Sequence, residues 1–208
     1  MAMSPKVKIC GITNLTDALA AAEAGADALG LMFVATSPRH VEMAVAADIA
    51  RQLPSFIIKV GVFMNAPEEL VFRAIGECGL NLLQFHGEET PEYCRQFGLM
   101  SMKAFRIRDA HSLQSLSRYN TDAFLLDSHV AGKSGGTGAK FNWELAVEAN
   151  KFGKPIFLAG GLTPENVAAA VRQVQPFGVD VSSGVESAPG RKDITKVLAF
   201  IAAAKTAL

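Results

Sequence analysis

The chain has 208 residues, with 20 Lys or Arg against 20 Asp or Glu, a formal net charge of zero, and half of its residues hydrophobic. That length supports one sizeable core, and with no linker-like stretch to divide it, one domain over residues 1–208 is expected. Balanced charge without a basic stripe lacks the footprint of nucleic-acid binding, and neither a bilayer-length apolar run nor a signal-peptide pattern in MAMSPKVKIC speaks for a membrane.

Eight short apolar runs recur along the chain and are read as strands: residues 7–9, 28–33, 57–63, 80–85, 100–105, 123–126, 156–159 and 178–181. Their starts lie about 25 residues apart, which fits one strand, one helix and two turns. Between them, residues 14–24, 44–53, 67–77, 90–97, 110–119, 143–151, 164–174 and 193–205 carry apolar residues at three- and four-residue intervals and are read as helices. Thr90-Pro91 and Thr163-Pro164 supply a capping hydroxyl followed by a proline that a first helical turn tolerates. Nearly all-apolar strands such as FIIKVGVF call for a sheet covered on both faces or closed on itself. Eight βα units favour a closed (β/α)8 TIM barrel over an open doubly wound sheet, which more often has five or six strands and a GxGxxG turn that KICGITN does not match.

Cys10, Cys78 and Cys94 form no CxxC pair and are odd in number, which fits neither a disulfide framework nor a structural zinc site; a reducing cytoplasm suits them. On the barrel reading, the special residues gather at one rim, where βα loops build active sites. Cys10 ends the first strand. By itself it reads as a small buried hydrophobe, and at the rim as a general base or a nucleophile. Asp127 ends the sixth strand, either as a loop cap or as a carboxyl group that donates a proton from a water-poor pocket. Gly160-Gly161 and Ser182-Ser183-Gly184 follow strands seven and eight, where backbone N–H groups can hold a phosphate. A third glycine cluster, Gly132 to Gly138, lacks the GxxxxGK[ST] spacing of a nucleotide-binding loop. It reads as a flap whose amides, that of Gly136 among them, turn toward a ligand. Arg39 could grip a carboxylate bidentately or be a solvated surface residue. His86 could position substrate or serve a structural hydrogen bond. Asp180, inside the last strand, needs a partner and is either a site residue or part of a buried network.

The motifs KICGIT, SPRHV, QFHG, FLAGGLTPENV and VDVSSGVE, in that order, resemble those of the phosphoribosylanthranilate isomerases of tryptophan biosynthesis, and the likeness runs nearly end to end. The resemblance implies a (β/α)8 barrel that needs no metal or organic cofactor, with Cys10 as general base and Asp127 as general acid. It implies that Arg39 holds an anthranilate carboxylate and that Gly161, Ser183 and Gly184 hold a phosphate. A small phosphorylated substrate is then the expected partner, and the family permits a monomer or a homodimer. Two other functions compete: a metal-assisted sugar-phosphate epimerase, which would want several converging His and Asp ligands, and a non-catalytic barrel that binds a phosphate ligand.

Overall fold

A computed structural model describes residues 4–127 and 143–208. Eight parallel strands close into a barrel in chain order: β1 (Lys6–Cys10), β2 (Ala28–Met32), β3 (Ile58–Phe63), β4 (Leu82–Phe85), β5 (Met100–Arg106), β6 (Ala123–Asp127), β7 (Ile156–Ala159) and β8 (Gly178–Val181). Closure is made by β8 pairing with β1 from Lys6↔Gly178 to Ile9↔Val181. The expected strands agree with these bounds within one or two residues, and those over 156–159 and 178–181 agree at both ends.

Alternate side chains on each strand point to opposite faces. Toward the helices, Val7, Ile9, Leu29, Leu31, Leu126 and Leu158 join the large outer core. Toward the barrel axis, Met102, Ala104, Leu125, Phe157 and Ala159 fill one side, and Cys10, Ala28, Val60 and Val62 fill the other, with Leu82 touching both groups. Continuing each inward row by steps of two carries it to Lys8, Cys10, Gln84, His86, Arg106 and Asp127. Interior packing and the chemistry at the mouth therefore share one alternation.

The helices are α1 (Leu15–Glu23), α2 (Met43–Gln52), α3 (Glu68–Cys78), α4 (Pro91–Arg95), α5 (Trp143–Ala149), α6 (Val167–Val174) and α7 (Ile194–Lys205). Two expectations are corrected. Ala110–Arg118 is a 3-10 helix, because its buried residues Leu113 and Leu116 lie three apart, and Ser115 and Ser117 return hydroxyl hydrogen bonds to the carbonyls three residues back. Thr163 does not cap α6, which starts at Val167. Instead Asn166 folds back, accepting from the Thr163 N–H at 2.8 Å and donating to the Gly161 carbonyl at 2.9 Å. Thr90 does cap α4, accepting from the Tyr93 N–H.

A short hairpin, β9 (Glu186–Ala188) and β10 (Arg191–Lys192), follows β8 outside the barrel. It was not foreseen, since each strand is only two or three residues long.

Candidate active site

Cys10 sits at the end of β1 with 4% of its surface exposed. Burial pushes its thiol pKa up; the Lys8 cation pulls against that shift, the Asp180 carboxylate adds to it, and Lys192 pulls more weakly downward. Lys8, fully buried, donates to Asp180 at 2.7 Å. The two are register partners on β1 and β8. Asp180 thus belongs to a buried network with Lys8, beside the Cys10 sulfur.

Asp127 ends β6 and is partly exposed to the barrel mouth. Its Oδ2 lies 3.2 Å from His86 Nε2, and His86 Nδ1 lies 3.0 Å from the side-chain amide nitrogen of Gln84. With that amide donating to Nδ1, the ring carries a hydrogen on Nε2 and donates it to Asp127 Oδ2. His86 therefore orients Asp127, and Gln84, 1% exposed, orients His86.

Arg39 reaches the mouth from the segment between β2 and α2. Its Nε and one Nη donate to the two oxygens of Glu186 at 2.8 and 2.7 Å. Glu186 also accepts from Lys192 at 2.9 Å. Burial raises the Glu186 pKa, but the hydrogen bonds from Arg39 and Lys192 outweigh it and hold the carboxyl below its ordinary value. The fork uses two of the five guanidinium N–H groups, and the other three make no hydrogen bond to the described residues. Gly11, with φ +75°, makes room: a β-carbon there would come within 2.6 Å of Arg39 Cδ.

The two phosphate-turn candidates lie after adjacent strands. Gly161 adopts φ +65° with open space where a side chain would project. Gly184 is pressed against the Leu162 carbonyl, so the turn after β8 touches the turn after β7 directly. Ser183 is exposed at the start of a short 3-10 turn, Ser183–Val185. The Gly132–Gly138 cluster, with Gly136, lies outside the described residues.

Of the expected site residues described, Cys10 lies with Asp180, His86 with Asp127, and Arg39 by the turn after β8 that carries Ser183 and Gly184, which in turn touches the turn carrying Gly161. Sequence reasoning missed Lys8, Gln84, Glu186 and Lys192. Lys8 and Gln84 each stand two residues before a chosen residue, Cys10 at the end of β1 and His86 just past β4, so the period of two could have found them. Glu186 and Lys192 carried no such signal, because the hairpin that buries them was not foreseen. Also missed was a cleft of about 440 Å3 beside His86, lined in part by Arg106, Arg108 and Arg118. Among the described residues no group of three or more His, Cys, Asp or Glu is placed to hold a metal ion, and no helix is long and apolar enough to cross a membrane.

The family model for N-(5'-phosphoribosyl)anthranilate isomerase matches residues 7–203. The chain is 55% identical to the N-(5'-phosphoribosyl)anthranilate isomerase of Trichlorobacter lovleyi over 203 residues, 98% of this chain and 99% of the relative. It is 52% identical to that of Geobacter sulfurreducens, over 96% of this chain and 98% of the relative. The crystal structure of the Thermotoga maritima phosphoribosyl anthranilate isomerase superposes with a TM-score of 0.92 at 40% identity, covering 97% of this chain and 98% of that one. A structure of such an isomerase in complex with reduced 1-(o-carboxyphenylamino)-1-deoxyribulose 5-phosphate superposes with a TM-score of 0.88 at 39% identity, with the same coverage. With the match extending across the barrel, from β1 into α7, the chain belongs to the N-(5'-phosphoribosyl)anthranilate isomerase family.

Proposed function

We propose that this chain isomerises N-(5'-phosphoribosyl)anthranilate to 1-(2-carboxyphenylamino)-1-deoxyribulose 5-phosphate in tryptophan biosynthesis, with residues 1–208 forming one catalytic domain that works in the cytoplasm. The observation that carries the reading is the pairing, at one barrel mouth, of a thiol beside a buried cation and a carboxyl group oriented by a histidine, within a chain of this family.

Asp127 gives a proton to the ribose ring oxygen. The ring C–O bond breaks as the anthranilate nitrogen lone pair forms a C=N bond, leaving an open-chain Schiff base. The Cys10 thiolate then takes the proton from the neighbouring sugar carbon, and the C–H electrons move into the carbon–carbon bond to neutralise the iminium nitrogen. The resulting enolamine tautomerises to the ketone, so no oxidant or reductant is consumed. Arg39, locked by Glu186 with three N–H groups unused among the described residues, suits the anthranilate carboxylate. The turns carrying Gly161, Ser183 and Gly184 suit the phosphate. Held at both anionic ends, the sugar would lie between acid and base, which turns binding energy into orientation.

The test is loss of anthranilate fluorescence on supplying the substrate, with EDTA present. Cys10→Ser and Asp127→Asn are each expected to lower kcat by about 10^2- to 10^4-fold with KM little changed. Near-normal kcat in either variant removes that residue from the mechanism. Arg39→Ala is expected chiefly to raise KM, and unchanged affinity for a carboxylated product analogue would rule out the clamp.

A further inference from the structure

We propose that Lys8 is the positioning residue for the base: its ammonium group, pinned by Asp180, lies against the Cys10 sulfur and stabilises the thiolate that takes the sugar proton. This rests on the reading of Cys10 as the base.

A lysine with no exposed surface inside a barrel is costly unless its charge is matched. Asp180 matches it at 2.7 Å. An apolar pair would fill the same space without that cost, so the ion pair calls for a reason beyond packing. Lys8 and Cys10 are two residues apart on β1, on the same inward face, and both side chains lean over Gly30 of β2. A β-carbon on Gly30 would lie 2.7 Å from Cys10 Sγ and 3.2 Å from Lys8 Nζ. The sulfur and the ammonium therefore share the small space that Gly30 leaves open. Asp180 is the one hydrogen-bond partner of Nζ among the described residues, and a cation sharing this space with the sulfur favours its anion.

The charged groups facing the sulfur come from four elements: Lys8 on β1, Asp180 on β8, Lys192 on β10, and Arg39 on the segment after β2. Burial lowers the pKa of Lys8, but Asp180 and Cys10 together raise it above its ordinary value, so the cation persists through the neutral range. In the proton-abstraction step Sγ gains the proton that the sugar carbon loses. Lys8 keeps its own protons throughout, and the Lys8–Asp180 pair stays neutral while the negative charge leaves the sulfur.

The experiment titrates Cys10 by ultraviolet thiolate absorbance in the full chain, as the difference between each variant and the same variant carrying Cys10→Ser. Cys78 and Cys94, pushed up by burial to about 11 and about 12, cancel in that difference. Lys8→Met is expected to raise the Cys10 midpoint by about one unit or more, the size of effect an adjacent opposite charge exerts. The pH profile of kcat/KM should move by the same amount with KM little changed, and kcat/KM at neutral pH should fall about tenfold or more. Asp180→Asn is expected to move the midpoint the other way, which a role in packing alone would not do. If Lys8→Met leaves a lone buried carboxylate and fails to fold, Lys8→Met/Asp180→Asn removes both charges at near-constant shape. Its midpoint should still rise, because Lys8 acts on Cys10 more strongly than Asp180 does. An unmoved midpoint in the folded Lys8 variant overturns the proposal, whatever the activity. Normal kcat in Cys10→Ser overturns instead the base reading beneath it, and the two failures are read by different measurements.

Discussion

Cys10 carries the strongest consequence of burial for the chemistry. Its thiol is shifted above an ordinary value of 9.0, so the thiolate is a minor form at neutral pH. Because the base works deprotonated and the acid protonated, kcat/KM depends on both groups, and the limb that belongs to Cys10 is expected to turn above pH 9, as a thiolate titration read against Cys10→Ser would locate it. A Cys10 midpoint below pH 9 would contradict that shift. The two phosphate-turn glycines behave differently on substitution. Gly161→Ala places a methyl group in open space at a left-handed backbone, so it should cost about 1–2 kcal/mol of stability while obstructing the ligand. Gly184→Ala drives its β-carbon into the Leu162 carbonyl and must displace one of the two turns. Thermal unfolding and KM measured on both variants check this: Gly184→Ala should lose more stability, and both should bind phosphate esters less well. At this scale the sequence was informative where a residue type is rare in its place, as with Cys10, Asp127 and Asp180. It was silent on Glu186, a common residue whose importance comes from having Arg39 brought to it across 147 positions.

Three helices, α1, α4 and α7, take their starts from local side chains. Asp193 accepts from the Lys196 N–H at the start of α7, the 12-residue helix that packs on β1, α1 and α6. Asp193→Ala should lower stability by about 1 kcal/mol, the ordinary value of such a cap, with kcat unchanged; a drop in kcat at constant stability would show that α7 does more than hold the barrel. Helix identity was legible from three- and four-residue spacing wherever both spacings were present. It misled at Ala110–Arg118, where the two buried leucines are three apart and serine hydroxyls compete for backbone carbonyls, so the tighter helix prevails. The hairpin after β8 escaped because pairing over two or three residues leaves no periodicity to read, yet it brings Glu186 and Lys192 to Arg39.

Closure ties the ends of the molecule together, and Asp27 is one of the groups that does so. It accepts from the Val7 N–H at 2.9 Å and pairs with Lys6 at 3.1 Å and with Lys205 of α7 at 3.2 Å. Burial raises its pKa, but the Val7 hydrogen bond and the two lysines outweigh that and hold it below the ordinary 3.8. A carboxylate depressed in the folded state contributes stability above its unfolded pKa and loses that contribution as pH falls through the folded value. Asp27→Asn should therefore destabilise the protein at neutral pH and flatten the loss of stability below about pH 4, as urea unfolding at stepped pH would read; an unchanged acid limb would discount Asp27 as a closing contact. At the scale of the molecule, the sequence by itself determined the eight βα units, the apolar strands that demand a closed or covered sheet, and the rim on which Cys10, Asp127 and the glycine turns fall. Those properties follow from spacing and residue type, which are local. Only the tertiary structure decided that β8 meets β1, so that Lys8 finds Asp180 across 172 positions and Arg39 finds Glu186. Partners that far apart are set by barrel closure and strand register, and no local pattern in the chain encodes which of several buried charges will face which.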